Sequence, residues 1–250
     1  MSLFPLRRRG PAPDHRLPAG LRVYAIGDVH GRDDCLSQVE RQIGDDLARR
    51  PVAGEALVIF LGDYVDRGPG TPRVIEQLAT HRFAGLPARC LLGNHEDALL
   101  RFLADPVAGA AWLHWGGRAT VASYGVDAGD DATVADPRRL AIALAEAMPA
   151  AHLAFLRDLK VTIELGGFLF VHAGIRPGVA LDRQRREDLL WIREPFLAST
   201  RPGPHRVVHG HTIAEAVELL PQRIGVDTGA YATGRLSCVV IEGTTAEVLA

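Results

Sequence analysis

The chain has 250 residues, a formal net charge of −2 at pH 7 and 47% hydrophobic residues. That length suits one large α/β domain or two small ones, with enough apolar residues for a full core. The near-neutral charge argues against a general binder of nucleic acid or of anionic membrane surfaces, which would be basic.

In chain order, residues 1 to about 20 are rich in Arg and Pro and have no period, as expected of a mobile arm. Val23-Tyr24-Ala25-Ile26 then forms a short apolar run of strand type, ending in Gly27-Asp28-Val29-His30-Gly31. From Asp33, the apolar residues Leu36, Val39, Ile43 and Leu47 recur at helical spacing, and Pro51 and Gly54 end the helix. Asp33 and Asp34 sit in its first turn, where the helix dipole favours negative charge. Leu57 to Leu61 is a continuous apolar run, predicting a strand buried on both faces, and it ends in Gly62-Asp63-Tyr64-Val65-Asp66-Arg67-Gly68. Thr71-Pro72 opens a second helix with proline at its first position. A third strand through Leu92 ends in Gly93-Asn94-His95-Glu96, and Glu96-Asp97 opens another helix, to about Leu103.

Residues 105 to 150 are less regular and predict an inserted cap with short helices, such as Arg138 to Ala147. Within it, Trp112 and Trp115 are expected to serve packing of the cap rather than base stacking, and Arg118 is a candidate for the entrance. Val161 to Glu164 and Phe168 to Val171 flank Gly166-Gly167 and predict a hairpin that delivers His172. A short helix from Arg186 to Trp191 leads to Arg193, and the strand Val207-Val208 leads to His209-Gly210-His211-Thr212. Three short strand runs fill the tail, up to Leu249. The order βαβαβ followed by mostly β predicts an α/β fold of two packed sheets with helices outside.

Three strand ends that each deliver Asp, His or Asn into a glycine-lined turn imply one shared site beyond the carboxyl ends of the strands. The candidate ligands Asp28, His30, Asp63, Asn94, His172 and His211 offer oxygen and imidazole donors and no thiolate. That set suits manganese, with iron or zinc as alternatives. It exceeds what one ion needs and matches two ions roughly 3.5–4 Å apart that share a carboxylate. Asp63, from the middle strand, is the natural bridge. Asp28 and His30 would hold one ion, and Asn94, His172 and His211 the other. Two such ions acidify a shared water and neutralise charge on a phosphoryl group. Arg67 is placed to grip phosphate oxygens, His95 to protonate a leaving oxygen, and Asp66 to fix the tautomer of His95. His209 competes with His211 for the same role, and Asp227 and Tyr231 stand near the cleft edge without a role of their own. Lys160 is the only lysine, so phosphate contacts fall to guanidinium groups.

The three blocks at the ends of the first three strands, with Val171-His172-Ala173-Gly174 and Gly210-His211-Thr212 downstream, closely resemble the signature of the phosphoprotein phosphatase family. That family belongs to the calcineurin-like metallophosphoesterases. The resemblance runs from Val23 to about Thr212. It implies a four-layer sandwich with a helical cap insertion, as one catalytic domain over residues 21–250. It also implies a dinuclear site of the six ligands above, His95 as proton donor paired with Asp66, and Arg67 on the phosphate. The smaller prokaryotic and phage members share the Trp191-Ile192-Arg193 stretch, and that similarity makes Arg193 a second clamp. Arg32 departs from the glutamine usual in eukaryotic members and is expected to add positive charge at the mouth. Thr212-Ile213 stands where many broader metallophosphoesterases carry a second histidine, which favours the protein phosphatase branch.

The first expectation is therefore a serine/threonine protein phosphatase acting on a phosphorylated protein or a small phosphoester. The alternative is a hydrolase that cleaves diadenosine tetraphosphate symmetrically. Neither nucleic acid nor membrane is an expected partner, and oligomeric state is not legible. Cys35, Cys90 and Cys238 are scattered and odd in number, predicting buried reduced thiols in a reducing compartment. There is no run of roughly 18 apolar residues, and Leu3-Phe4-Pro5-Leu6 is too short for a leader core. A cytoplasmic protein is the expectation that follows.

Overall fold

Alternation along the first strand divides the molecule into layers. In Leu21–Ile26 (β1), Val23 and Ala25 point into one apolar cluster, while Tyr24 and Ile26 point into another. A strand buried on both faces needs apolar residues at successive positions, and β1 has them from Val23 to Ile26. The computed structural model describes residues 14–128 and 136–249. After β1 come Asp33–Arg49 (α1), Glu55–Phe60 (β2), Thr71–Leu78 (α2), Arg82–Phe83 (β3), Leu86–Cys90 (β4) and Asn94–Ala104 (α3). A 3-10 turn at Ala110–Trp115 leads to Gly117–Ser123 (α4), Pro137–Ala147 (α5) and Ala150–Asp158 (α6). The second half contains Thr162–Leu165 (β5), Phe168–Val171 (β6), Arg186–Trp191 (α7), Arg206–His209 (β7), Glu218–Leu219 (β8) and Arg223–Gly225 (β9). Ala230–Thr233 (α8), Cys238–Glu242 (β10) and Thr245–Val248 (β11) complete it.

The strands form two mixed sheets. One has six strands in the order β11-β10-β1-β2-β4-β3, and the other has five in the order β5-β6-β7-β9-β8. In the first, β1, β2 and β4 run parallel, and in the second β6, β7 and β9 do. Their inner faces meet through Val23, Leu57 and Ile59 on one side and Phe170, Val208 and Ile224 on the other. Helices cover the outer face of the first sheet, and α7 with its following loop covers the outer face of the second. The expected α/β sandwich of two helix-flanked sheets is the observed architecture. Both parallel triads send the carboxyl ends of their strands to the same edge, so six loops converge there.

One expectation needs correction. The N-terminal arm is shorter than 20 residues. Leu17 is 1% exposed in the inter-sheet core, and its N–H donates to Gly243 O at 2.9 Å. An apolar side chain with that burial and a backbone partner holds the chain against both sheets. Residues 1–13 lie outside the described residues. The insertion over 105–150 carries the expected short helices, and it packs into the main core. Trp112, Leu113, Val121, Leu140 and Leu144 share one core with Tyr24, Phe60 and Phe102. Residues 129–135 of the insertion lie outside the described residues. Among the described residues no single helix is long and apolar enough to cross a membrane.

Candidate active site

The loops at this edge are bent tightly. Among the described residues, seven non-glycine residues have positive φ, and five of them are His30, Asp63, Asp66, Arg67 and His211. Such backbone costs about 1–3 kcal/mol per residue and persists only where the surroundings over-determine it. Glu96 supplies much of that restraint. It is fully buried, and its carboxylate accepts the backbone N–H of Asp63, Tyr64, Val65 and Gly93 at 2.8, 2.7, 3.1 and 3.0 Å. Burial and the neighbouring Asp63 carboxylate push Glu96 up to about 8, against the pull of these amides. The first loop docks on the second, with Val29 and His30 donating to Asp63 O at 3.0 and 2.8 Å. Glycine is required at two close approaches. A Cβ on Gly62, at φ 105°, would lie 2.7 Å from Gly93 Cα, and one on Gly210 would collide with Asp28 Oδ1.

Asp63 is the centre of the constellation. Its Oδ2 lies 3.5 Å from His30 Nε2, and its Oδ1 lies 3.4 Å from His172 Nε2. The other nitrogen of each ring faces a carbonyl. His30 Nδ1 is 2.8 Å from Val65 O, and His172 Nδ1 is 2.8 Å from Leu61 O. With those nitrogens donating, each Nε2 turns a lone pair toward a carboxylate that is itself an acceptor. Acceptor facing acceptor on both sides of one carboxylate is the arrangement a pair of cations would satisfy. His30, Asp63 and His95 have ligand atoms within 4.8 Å of one another, as do Asp63, His172 and His211. Asn94 Oδ1 stands 2.8 Å from His172 Nε2 and 2.9 Å from His211 Nδ1, while the buried His211 Nε2 has no hydrogen-bond partner. Asp28 accepts from His211 N at 3.1 Å.

The electrostatics agree. Burial, with Asp227 and Asp63 beside it, pushes Asp28 well above the usual carboxylate range. Burial opposes the ionised form of Asp63 too, but His172, His95, His30 and His211 draw it below its ordinary value. Burial lowers His30 and His211 to about 3, leaving both neutral at pH 7. Neutral imidazole is the form that binds a metal. Buried carboxyl groups beside histidines supply oxygen and imidazole donors of the kind that two divalent cations would fit.

His95 projects from the start of α3 between Asp66 and Arg67. Its Nδ1 is 2.6 Å from Asp66 Oδ2, and its Nε2 is 3.1 Å from Arg67 Nη2. Burial lowers the pKa of His95, but Asp63 and Asp66 outweigh it and raise the net value. Asp66 is fully buried and accepts from Trp112 Nε1 at 2.7 Å and from Thr120 Oγ1 at 2.6 Å. Sequence reasoning missed Glu96, Thr120 and the indole N–H of Trp112 as parts of the site. Only Glu96 had a usable signal, since a glutamate at the third position of a helix often reaches back to backbone N–H groups.

Above these groups lies a cleft of about 360 Å³, into which Asp28, His30, Asp63, Asn94, His95 and His211 open. His172 and Asp66 sit beneath, at 0% exposure. Arg67 and Arg193 form part of the wall, together with Trp115, Trp191 and Tyr231. The Arg67 guanidinium lies over the Tyr231 ring, 4.4 Å from its centroid. His209 does not reach the cleft. It packs on Phe196 with ring centroids 5.0 Å apart, and its Nε2 lies 3.4 Å from Arg223, so His211 is the residue delivered. Arg32 adds no charge at the mouth, because it pairs with Asp34 at 2.6 Å and donates to Ala230 O at 2.8 Å. Arg118 turns to Ala128 O at 2.6 Å. Asp227 is buried and accepts from Gly229 N at 2.8 Å.

A family model described as calcineurin-like phosphoesterase matches residues 21–233. A symmetrical bis(5'-nucleosyl)-tetraphosphatase from Janthinobacterium sp. (strain Marseille) is 33% identical over 157 residues, 63% of this chain but only 45% of that protein. The asymmetrical bis(5'-nucleosyl)-tetraphosphatase PrpE of Halalkalibacterium halodurans is 25% identical over 236 residues, 86% of this chain and 87% of its own. Among solved structures, one provisionally named a diadenosine tetraphosphatase superposes with a TM-score of 0.64 at 22% identity, covering 91% of this chain and 92% of its own. A cold-active protein tyrosine phosphatase gives a TM-score of 0.54 at 21% identity, covering 95% of this chain and 80% of its own. These two likenesses concern the fold.

Proposed function

Because the chain belongs to the calcineurin-like phosphoesterase family, we propose that it hydrolyses dinucleoside polyphosphates with two divalent cations held in its cleft. The observation that carries the hydrolytic reading is Asp63, flanked by the Nε2 atoms of His30 and His172 on its two oxygens. Two relatives named as bis(5'-nucleosyl)-tetraphosphatases support a polyphosphate substrate. They move the serine/threonine protein phosphatase expected from the motifs to second place.

Asp28 and His30 would hold one cation, Asn94, His172 and His211 the other, and Asp63 both, with manganese suiting these donors and iron or zinc as alternatives. When bound, the cations lower the pKa of a shared water and neutralise charge on phosphoryl oxygens. Arg67 and Arg193 would grip the remaining oxygens from the cleft wall. Attack by water at phosphorus breaks the bond to the leaving phosphate, whose oxygen keeps the electron pair. His95 Nε2 is the proton source for that oxygen. In this structure Arg67 Nη2 donates to that nitrogen, so turning Arg67 onto a phosphoryl group frees it to carry the proton. Asp66 accepts from Nδ1 and favours the charged ring, while Trp112 and Thr120 hold Asp66 in place.

The test is turnover by metal-stripped protein with manganese restored, on diadenosine tetraphosphate and a phosphothreonine peptide in parallel. The expected result is faster turnover of the dinucleotide. Two ADP molecules would mark symmetric cleavage, and AMP with ATP asymmetric cleavage. Turnover of the peptide without turnover of the dinucleotide would overturn the proposal.

A further inference from the structure

Beside the catalytic cleft lies a second cavity of about 440 Å³, and Trp115 and Trp191 line both. The two indoles meet edge to face with ring centroids 5.3 Å apart. Trp115 is 45% exposed, a large apolar ring left in water on the wall the two spaces share. Beyond it, Ala98, Ala108, Gly109 and Ala111 line the cavity, so little side chain stands between an incoming group and the backbone. The loop bearing Gly109 is drawn in close, since a Cβ there would lie 2.6 Å from Phe102 Cα. Trp112 forms a further wall, and its indole N–H is bonded to Asp66. The charges at the rim are already paired. Asp97 meets Arg101 at 2.8 Å and Arg186 at 2.9 Å.

We infer that this cavity is the nucleoside subsite, with a purine stacked against Trp115 and its phosphate chain running past Trp191 to Arg193 and Arg67. The inference rests on the polyphosphatase reading and adds where the nucleoside goes. Four features on the page fit that occupant. The cavity adjoins the phosphoryl-binding cleft and shares Trp115 and Trp191 with it. Its volume falls within the range of roughly 300–1,000 Å³ usual for small-molecule sites. An exposed indole offers a π face, which stacks on any base. Walls of alanine and glycine let a flat ring lie close to the backbone.

The test uses Trp115→Ala and Ala108→Phe. The first removes the stacking face, and the second fills the cavity from an exposed position on its edge. Steady-state kinetics on manganese-loaded protein compare diadenosine tetraphosphate with p-nitrophenyl phosphate, which has no nucleoside. Calorimetry on metal-stripped protein compares the affinity of AMP with that of inorganic phosphate. The expected result is a roughly 10- to 100-fold fall in the kcat/KM ratio of dinucleotide to p-nitrophenyl phosphate, in the range of aromatic stacking on a base. It should come through KM and be accompanied by weaker AMP binding in both variants. An equal fall on both substrates would mean that the cleft itself was damaged, and it overturns the subsite. An unchanged ratio, with the wild type still cleaving the dinucleotide, overturns the subsite and leaves the polyphosphatase reading standing. A wild type that ignores the dinucleotide, and whose turnover of a phosphothreonine peptide depends on Trp115, overturns both.

Discussion

The floor and the rim of the cleft are built differently. On the floor three of the side chains have their direction set by a backbone partner. Val65 O holds His30, Leu61 O holds His172, and His211 N holds Asp28. The loop bearing Asp63 is caged by Glu96. At the rim, Trp115 and Tyr231 are 45% and 38% exposed, and their partners are other side chains. Catalytic geometry demands groups held to a fraction of an ångström, and a buried hydrogen-bonded floor provides that. Discrimination between substrates needs only surfaces that meet the parts of the molecule away from phosphorus.

The comparison breaks most sharply at Asp63. Asp63→Asn should lower phosphate release by more than the roughly 100-fold that losing an outer partner of a metal ligand costs. Metal analysis of the purified variant should find fewer than two ions per chain. An active variant with a full complement would remove the shared carboxylate from the argument.

His95→Gln comes next, with kcat expected to fall about 10²–10³-fold on an alkyl phosphomonoester. The loss should be smaller on a phosphoanhydride, whose leaving phosphate carries its own negative charge without help. In Asp66→Asn the alkaline limb of the kcat profile should move to lower pH. The acid must be protonated to act, Asp66 is one of the charges that raise His95, and removing it lets His95 lose its proton sooner. A limb that stays in place, or moves upward, would separate His95 from proton delivery.

Glu96→Ala tests whether the floor is held by its amide cage. Freeing four buried backbone N–H groups should cost about 3 kcal/mol or more of folding stability, read by urea denaturation. Glu96→Gln keeps a carbonyl oxygen and should lose less. A stable alanine variant would show that the strained loops are held by other contacts.

Tyr231→Leu is the mildest change and sharpens the rim side. A cation–π contact of this exposed kind is worth roughly 0.5–1 kcal/mol. KM should therefore rise only about two- to five-fold as Arg67 loses its support, with kcat nearly unchanged. A fall in kcat as large as that of His95→Gln would place Tyr231 on the floor.

Most of the floor was legible without coordinates. Asp28, His30, Asp63, Asn94 and His172 each follow an apolar run within a few residues, and glycine marks the turn. Strand pattern and turn chemistry are short-range properties, so the chain states them locally. The choice of His211 over His209 was legible only as a motif. Two residues apart near a strand end, both have the same local pattern, and packing on Phe196 and Arg223 is what turns His209 away. The end of the arm was misjudged, and the anchoring of the cap was not legible, for a related reason. Leu17 and Trp112 lie in stretches without a period, and only the elements folded over them show that they are core.

What the chain spells out alone is thus the set of chemical groups and the edge of the sheets to which they are delivered. How those groups are held was settled by packing. Glu96 reaches amides 31 to 33 residues away, and Trp112 and Thr120 reach Asp66 across 46 and 54 residues. A buried carboxylate must find donors, but any element packed against it can supply them, and no local periodicity says which one will.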